Sequence, residues 1–129
     1  MIIPPIVTVD GEDVWVSQTA RAAELAVEPE DVLNGIYTAY DSTGRLLRLR
    51  AEPEPSRCIE TKGIRHLLRG ICGPRLEVRL EEAEAQPQHA SELAAALSRF
   101  LSAAGVPLDR LQAADLAVLI ELVAELQAG

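Results

Sequence analysis

Cys58, His66, Cys72 and His89 are the side chains best suited to hold a soft metal or to attack a carbonyl. Thiolate and imidazole are the usual zinc ligands, but structural sites bring them in close C-x-x-C or H-x-x-x-H pairs. Here seven, five and sixteen residues intervene between successive members, which matches neither arrangement. No metal and no cofactor is therefore expected. As a nucleophile, Cys72 would need His66 or His89 within hydrogen-bond reach and an oxyanion site, for which the Gly70-Ile71-Cys72-Gly73 loop could offer backbone N–H groups. A cysteine beside Ile59 or Ile71 equally fits a small buried hydrophobe. The chain has no G-x-G-x-x-G, no phosphate-binding G-x-x-x-x-G-K-[ST] and no G-x-S-x-G nucleophile elbow. No turnover of its own is expected, with a small cysteine-dependent enzyme as the alternative.

Carboxylates supply the other chemistry. Twenty acidic residues against 12 basic ones give a formal charge of −8 and a sequence pI near 4.7. That sign argues against nonspecific binding to nucleic acid or to an anionic membrane surface and suits a basic partner. The acids cluster as Asp10, Glu12 and Asp13, as Glu28, Glu30 and Asp31, and as Glu81, Glu82 and Glu84. If the fold brings two clusters together, the result is a surface able to steer and neutralise a basic protein. If it does not, they simply keep an Ala- and Leu-rich chain soluble. Trp15 and Tyr37 are candidate anchors, because aromatic side chains dominate the centres of interfaces. The basic stretch, residues 45–79, contains no aromatic residue on which a base could stack. Arg45, Arg48 and Arg50 are spaced as solvated strand residues are, with acidic neighbours elsewhere to satisfy them.

The elements that must position these side chains follow from periodicity and turn chemistry. At 129 residues and 48% hydrophobic content, one domain with its own core is expected over 1–129. No apolar run is long enough to span a bilayer, and Met1-Ile2-Ile3-Pro4-Pro5 lacks the basic start of a secretory signal, so the cytoplasm is the expected compartment. Residues 2–9 read as an edge strand or lead-in because of the two prolines. Asp10-Gly11-Glu12-Asp13 reads as a turn into a strand at 14–16, and Ser17 as the cap of a short helix to Ala26, stopped by Glu28-Pro29. Residues 35–40 and 45–50 form a hairpin about Asp41-Ser42-Thr43-Gly44. Residues 57–74 read as a short amphipathic helix or a second hairpin. Leu76 to Leu80 alternates as a strand with one wet face. A helix follows over 89–104, with Leu93, Leu97, Phe100 and Leu101 inward and Gly105 as its stop. A last helix is expected over 109–127, opened by an Asp109/Gln112 capping box, with Leu116, Leu119, Ile120, Val123 and Leu126 inward. Val118 and Leu122 widen its apolar face, so self-association through this helix into a homodimer is an alternative to a monomer. The class is α+β: a small antiparallel sheet with helices on one face, the two longer ones C-terminal.

The run Glu28-Pro29-Glu30-Asp31-Val32-Leu33-Asn34-Gly35, followed by Tyr40-Asp41-Ser42-Thr43-Gly44-Arg45-Leu46-Leu47, resembles a pattern in small acidic bacterial proteins. In them a helix stop leads through E-P-x-D-V-x-N-G into a strand and then Y-D-x-x-G-R-L-L. Leu76 to Gly105 resembles their second half, and about two-thirds of the chain is covered. Such proteins look like immunity proteins encoded beside secreted antibacterial toxins. The resemblance implies a protein that neutralises a toxin or effector domain by direct contact, with no catalytic residues carried over. On that reading the contact residues are sought among Asp10, Glu12, Asp13, Glu28, Glu30, Asp31, Glu81, Glu82 and Glu84, with Trp15 or Tyr37 as anchor.

Overall fold

The computed structural model describes residues 1–53 and 76–128. Two strands, β1 (Ile6–Asp10) and β2 (Asp13–Ser17), form a hairpin. Two short helices follow, α1 (Ala20–Leu25) and α2 (Pro29–Leu33), then β3 (Tyr37–Tyr40), β4 (Leu46–Pro53) and β5 (Leu76–Glu82). The C-terminal part is helical: α3 (Ala90–Ala103), the single turn-and-a-half α4 (Leu108–Gln112) and α5 (Leu116–Ala128). All five strands join one antiparallel sheet in the order β2-β1-β3-β4-β5. The α+β class is as expected, with the two long helices at the C-terminus.

Strand alternation divides the side chains between two faces. Val7, Val14 and Tyr40, with Val9, Val16 and Leu46, point at α3 and α5, where they meet Leu93, Leu97, Leu101, Leu119, Ile120 and Val123. Leu93, Leu97 and Leu101 are fully buried, each contributing roughly 2 kcal/mol of burial. The other face carries Ile6, Ala39, Leu47, Leu49 and Leu80 against Ala23 of α1. Short α1 touches both edge strands, β2 and β5, which requires the sheet to curl around it. The long helices thus share one face, while α1 fills the hollow of the other.

Several details differ from the sequence reading. The first strand is no edge: β1 pairs with β2 on one side and β3 on the other, because Pro4 and Pro5 precede the ladder and take no part in it. Ser17 pairs with Ile6 as the last residue of β2, so the cap of α1 passes to Thr19, whose Oγ1 accepts from Ala22 N–H at 3.0 Å. Pro29 both ends the first helix and opens α2 at its N-terminal position, where a missing N–H costs nothing. The Asp109/Gln112 box does not open one long helix. Gln112 ends α4, and Asp115 starts α5 by accepting from Val118 N–H at 2.9 Å. In α5, Leu122 rather than Leu126 faces in: Leu122 is buried in the chain's own core, whereas Leu126, in the helix's last turn, is 47% exposed and Val118 40%. The helix or hairpin expected at 57–74 lies outside the described residues.

Candidate functional site

One end of the sheet is the β1–β2 turn. Asp10 and Asp13 face each other across it, and Asp10 also lies opposite Tyr37 at the start of β3. By the same register Trp15 and Thr8 are opposed, so Asp10, Asp13, Trp15 and Tyr37 share the face that carries α1. The two aromatic rings meet edge to face, 5.6 Å apart and 85° inclined, a contact worth about 1 kcal/mol beyond its buried area. Trp15 and Tyr37 are each half-buried. From α2, Asp31 accepts a hydrogen bond from the Tyr37 hydroxyl at 3.3 Å. Burial pushes the Tyr37 phenol above its ordinary value, a hydrogen bond at Glu28 opposes this, and the negative charges of Asp31 and Asp10 add to the rise.

The fold thus brings two of the three acidic clusters together around one tyrosine. Glu12 and Asp13 are exposed at the turn, Glu28 and Glu30 are exposed beside α2, and Asp10 and Asp31 are half-buried between them. None of these six forms an ion pair with another described residue. From the helical face, Arg99 of α3 joins Gly11 and Glu12 in lining a cavity of about 170 Å³ without pairing with Glu12. Among the described residues, Thr8 Oγ1 and Trp15 Nε1 are buried without a hydrogen-bond partner. Leaving such groups unmatched costs about 1–3 kcal/mol each, which the packing of Trp15 on Tyr37 has to offset.

The third cluster has another fate. Glu81 pairs with Arg48 at 3.3 Å and Arg50 at 3.4 Å on the solvent side of β4 and β5, so these arginines are satisfied within the chain. Glu82 pairs with Arg45 at 2.9 Å and with the terminal amine of Met1. Glu84 is mostly covered and accepts from Leu46 N–H at 2.8 Å, Gln88 N–H at 3.0 Å and His89 Nδ1. Burial raises its pKa, but these hydrogen bonds outweigh it and hold the carboxyl down to about 2. The same contact raises His89, against a smaller effect of burial, and Glu92 adds to the rise. His89 is therefore the ring that ties α3 to the sheet. Cys58, His66 and Cys72 lie outside the described residues.

Asp41, a turn residue by its sequence, is the hub of this second end. It is completely buried, and its carboxylate accepts from Ile3, Thr43 and Arg45 N–H groups and from the Thr43 hydroxyl. The Asp-x-x-Gly spacing signalled the turn, while the burial came from tertiary packing. Comparison with protein-family models, with characterised proteins and with solved structures gave no match for this chain.

Proposed function

We propose that this chain is an immunity-type binding protein that acts in the cytoplasm. It neutralises a basic secreted antibacterial toxin by covering the toxin's working surface. The observation that supports this reading is the convergence of Asp10, Asp13 and Asp31 on Tyr37 beside Trp15. Clustered charge of one sign speeds encounter with an oppositely charged protein, and speed counts when the partner kills the cell that makes it. The half-buried aromatic pair supplies what charge alone does not, a rigid apolar anchor at the centre of the contact. An interface of about 800 Å² per partner is a tenth of the chain's 8172 Å² surface. Asp10, Glu12, Asp13, Glu28, Glu30 and Asp31 form the charged rim, Trp15 and Tyr37 the centre; Glu81, Glu82 and Glu84 belong to the scaffold.

The expected genomic context is a neighbouring reading frame for a large secreted protein with a variable C-terminal domain. Co-expressing that domain with this chain should relieve its growth arrest and yield a complex. Arrest that persists, with no complex at moderate salt, contradicts the proposal.

A further inference from the structure

We infer that the partner contributes an extended, basic segment that pairs with the outer edge of β2 and displaces the side chain of Gln127. This rests on the binding reading above and adds how the contact is made. In the β1–β2 ladder, Val14 and Val16 turn their backbone groups away from β1. The amide of Gln127, in the last turn of α5, occupies two of these four groups. Its Nε2 donates to Val14 C=O at 2.6 Å, and its Oε1 accepts from Val16 N–H at 2.8 Å. Those are the two bonds that one residue of a parallel neighbouring strand would make around Trp15. A single exposed glutamine at a helix end therefore makes the two bonds a strand would make, and an incoming strand must take its place beside the last turn of α5, which packs on β2.

Among the described residues the opposite edge, β5, is guarded differently. Leu80 N–H of β5 is held by the Glu24 carboxylate at 2.7 Å, flanked by ion pairs of Glu77 with Arg79 and Arg21. A strand arriving there would have to displace a charged group and disrupt a network. At β2 it would displace a neutral amide.

Charge selects the occupant. A strand laid along β2 becomes the neighbour of Asp13 and Trp15, and every second side chain of it stands over the face shared with Asp10, Tyr37 and Asp31. Basic residues at those alternate positions meet carboxylates that form no ion pair with a described residue, Asp13 nearest among them. A second copy of β2 brings its own Asp13 to an already acidic surface, which opposes pairing between copies.

The test uses the full chain and a short blocked peptide of alternating Arg and Val, with an alternating Glu and Val peptide as control. At low salt the Arg peptide should slow amide hydrogen exchange of Val14 roughly tenfold, and Gln127→Ala should tighten its binding about fivefold by removing the competing amide. The Glu peptide should do neither. Binding that perturbs Asp10, Asp13 and Asp31 with no protection of Val14 and no effect of Gln127→Ala overturns the edge pairing and leaves the acidic surface standing. No binding of the Arg peptide overturns both. A Gln127→Ala protein that doubles its mass in solution and ignores the peptide overturns the proposal in favour of a second copy.

Discussion

At the β3–β4 end of the sheet, Asp41, Glu82 and Glu84 each accept from backbone N–H groups or from cations of the same chain. At the β1–β2 end, Asp10, Asp13 and Asp31 gather about Tyr37, with Glu12 on the adjoining turn and Glu28 and Glu30 at the start of α2, and none of the six has an ion pair to a described residue. The side chains are chemically alike, and their surroundings assign them different work. A buried carboxylate matched by donors, as Asp41 is, holds the fold, and removing it strands those donors. Like charges gathered with no counter-charge from the described residues repel one another, and a cation brought to them relieves that repulsion. A cluster of acids in a sequence is therefore not one kind of evidence: what matters is whether the fold supplies the counter-groups.

The comparison breaks if the second end proves dispensable. The largest effect is expected at Gly44, whose φ is +88° and where an added Cβ would lie 2.4 Å from Ala90 Cα. His89 N–H also reaches Gly44 C=O at 3.1 Å, so the turn and the start of α3 are in direct contact. Gly44→Ala should destabilise by about 4 kcal/mol in urea titration, combining left-handed backbone strain with overpacking. Asp41→Ala should follow at about 3 kcal/mol, since it orphans several buried donors at once.

The Glu84–His89 contact should give a smaller, pH-dependent effect. Glu84 titrates at about 2 in the fold against an ordinary 4.5, so its stabilisation is complete above pH 4.5 and is lost as pH falls toward 2. His89 is raised above 6.5, so its share is present below pH 6.5 and is lost as pH rises through the folded value. The stability gap between the native chain and Glu84→Gln should be widest between pH 4.5 and 6.5 and narrow on both sides. A gap independent of pH would remove the charge from this account. Trp15→Phe should change stability least, within about 1 kcal/mol, because the loss of ring area is offset by removing a buried N–H that has no described partner.

Much of this architecture was legible in local sequence. The alternation at Leu76 to Leu80, the Asp41-to-Gly44 turn and the Leu93-Leu97-Leu101 stripe each carry their own periodicity, and each forms as read. The strand order was not legible. Nothing local says that β1 lies between β2 and β3, and without that register the meeting of Asp10 with Tyr37 cannot be foreseen. The same holds for Gln127 on Val16, 111 residues away in sequence. Capping misled at Ser17 and Asp109, because the ladder claims Ser17 and the helix breaks after Gln112, which leaves Thr19 and Asp115 to cap. Of the candidate site, residue types and clusters were visible, and which clusters are neutralised internally was not.

The central claim is that the β1–β2 end meets the partner while the third acidic cluster, Glu81, Glu82 and Glu84, does not. It is tested by titrating the basic effector domain of the neighbouring reading frame against three proteins: the native chain, an Asp10→Asn/Asp31→Asn double variant and Glu81→Gln. Both variants should keep native stability to within about 0.5 kcal/mol, being exposed or half-buried surface changes. The account predicts affinity weakened at least roughly tenfold for the double variant, with a shallower salt dependence, and unchanged for Glu81→Gln. Equal weakening by both variants, or none by the double variant, would contradict it.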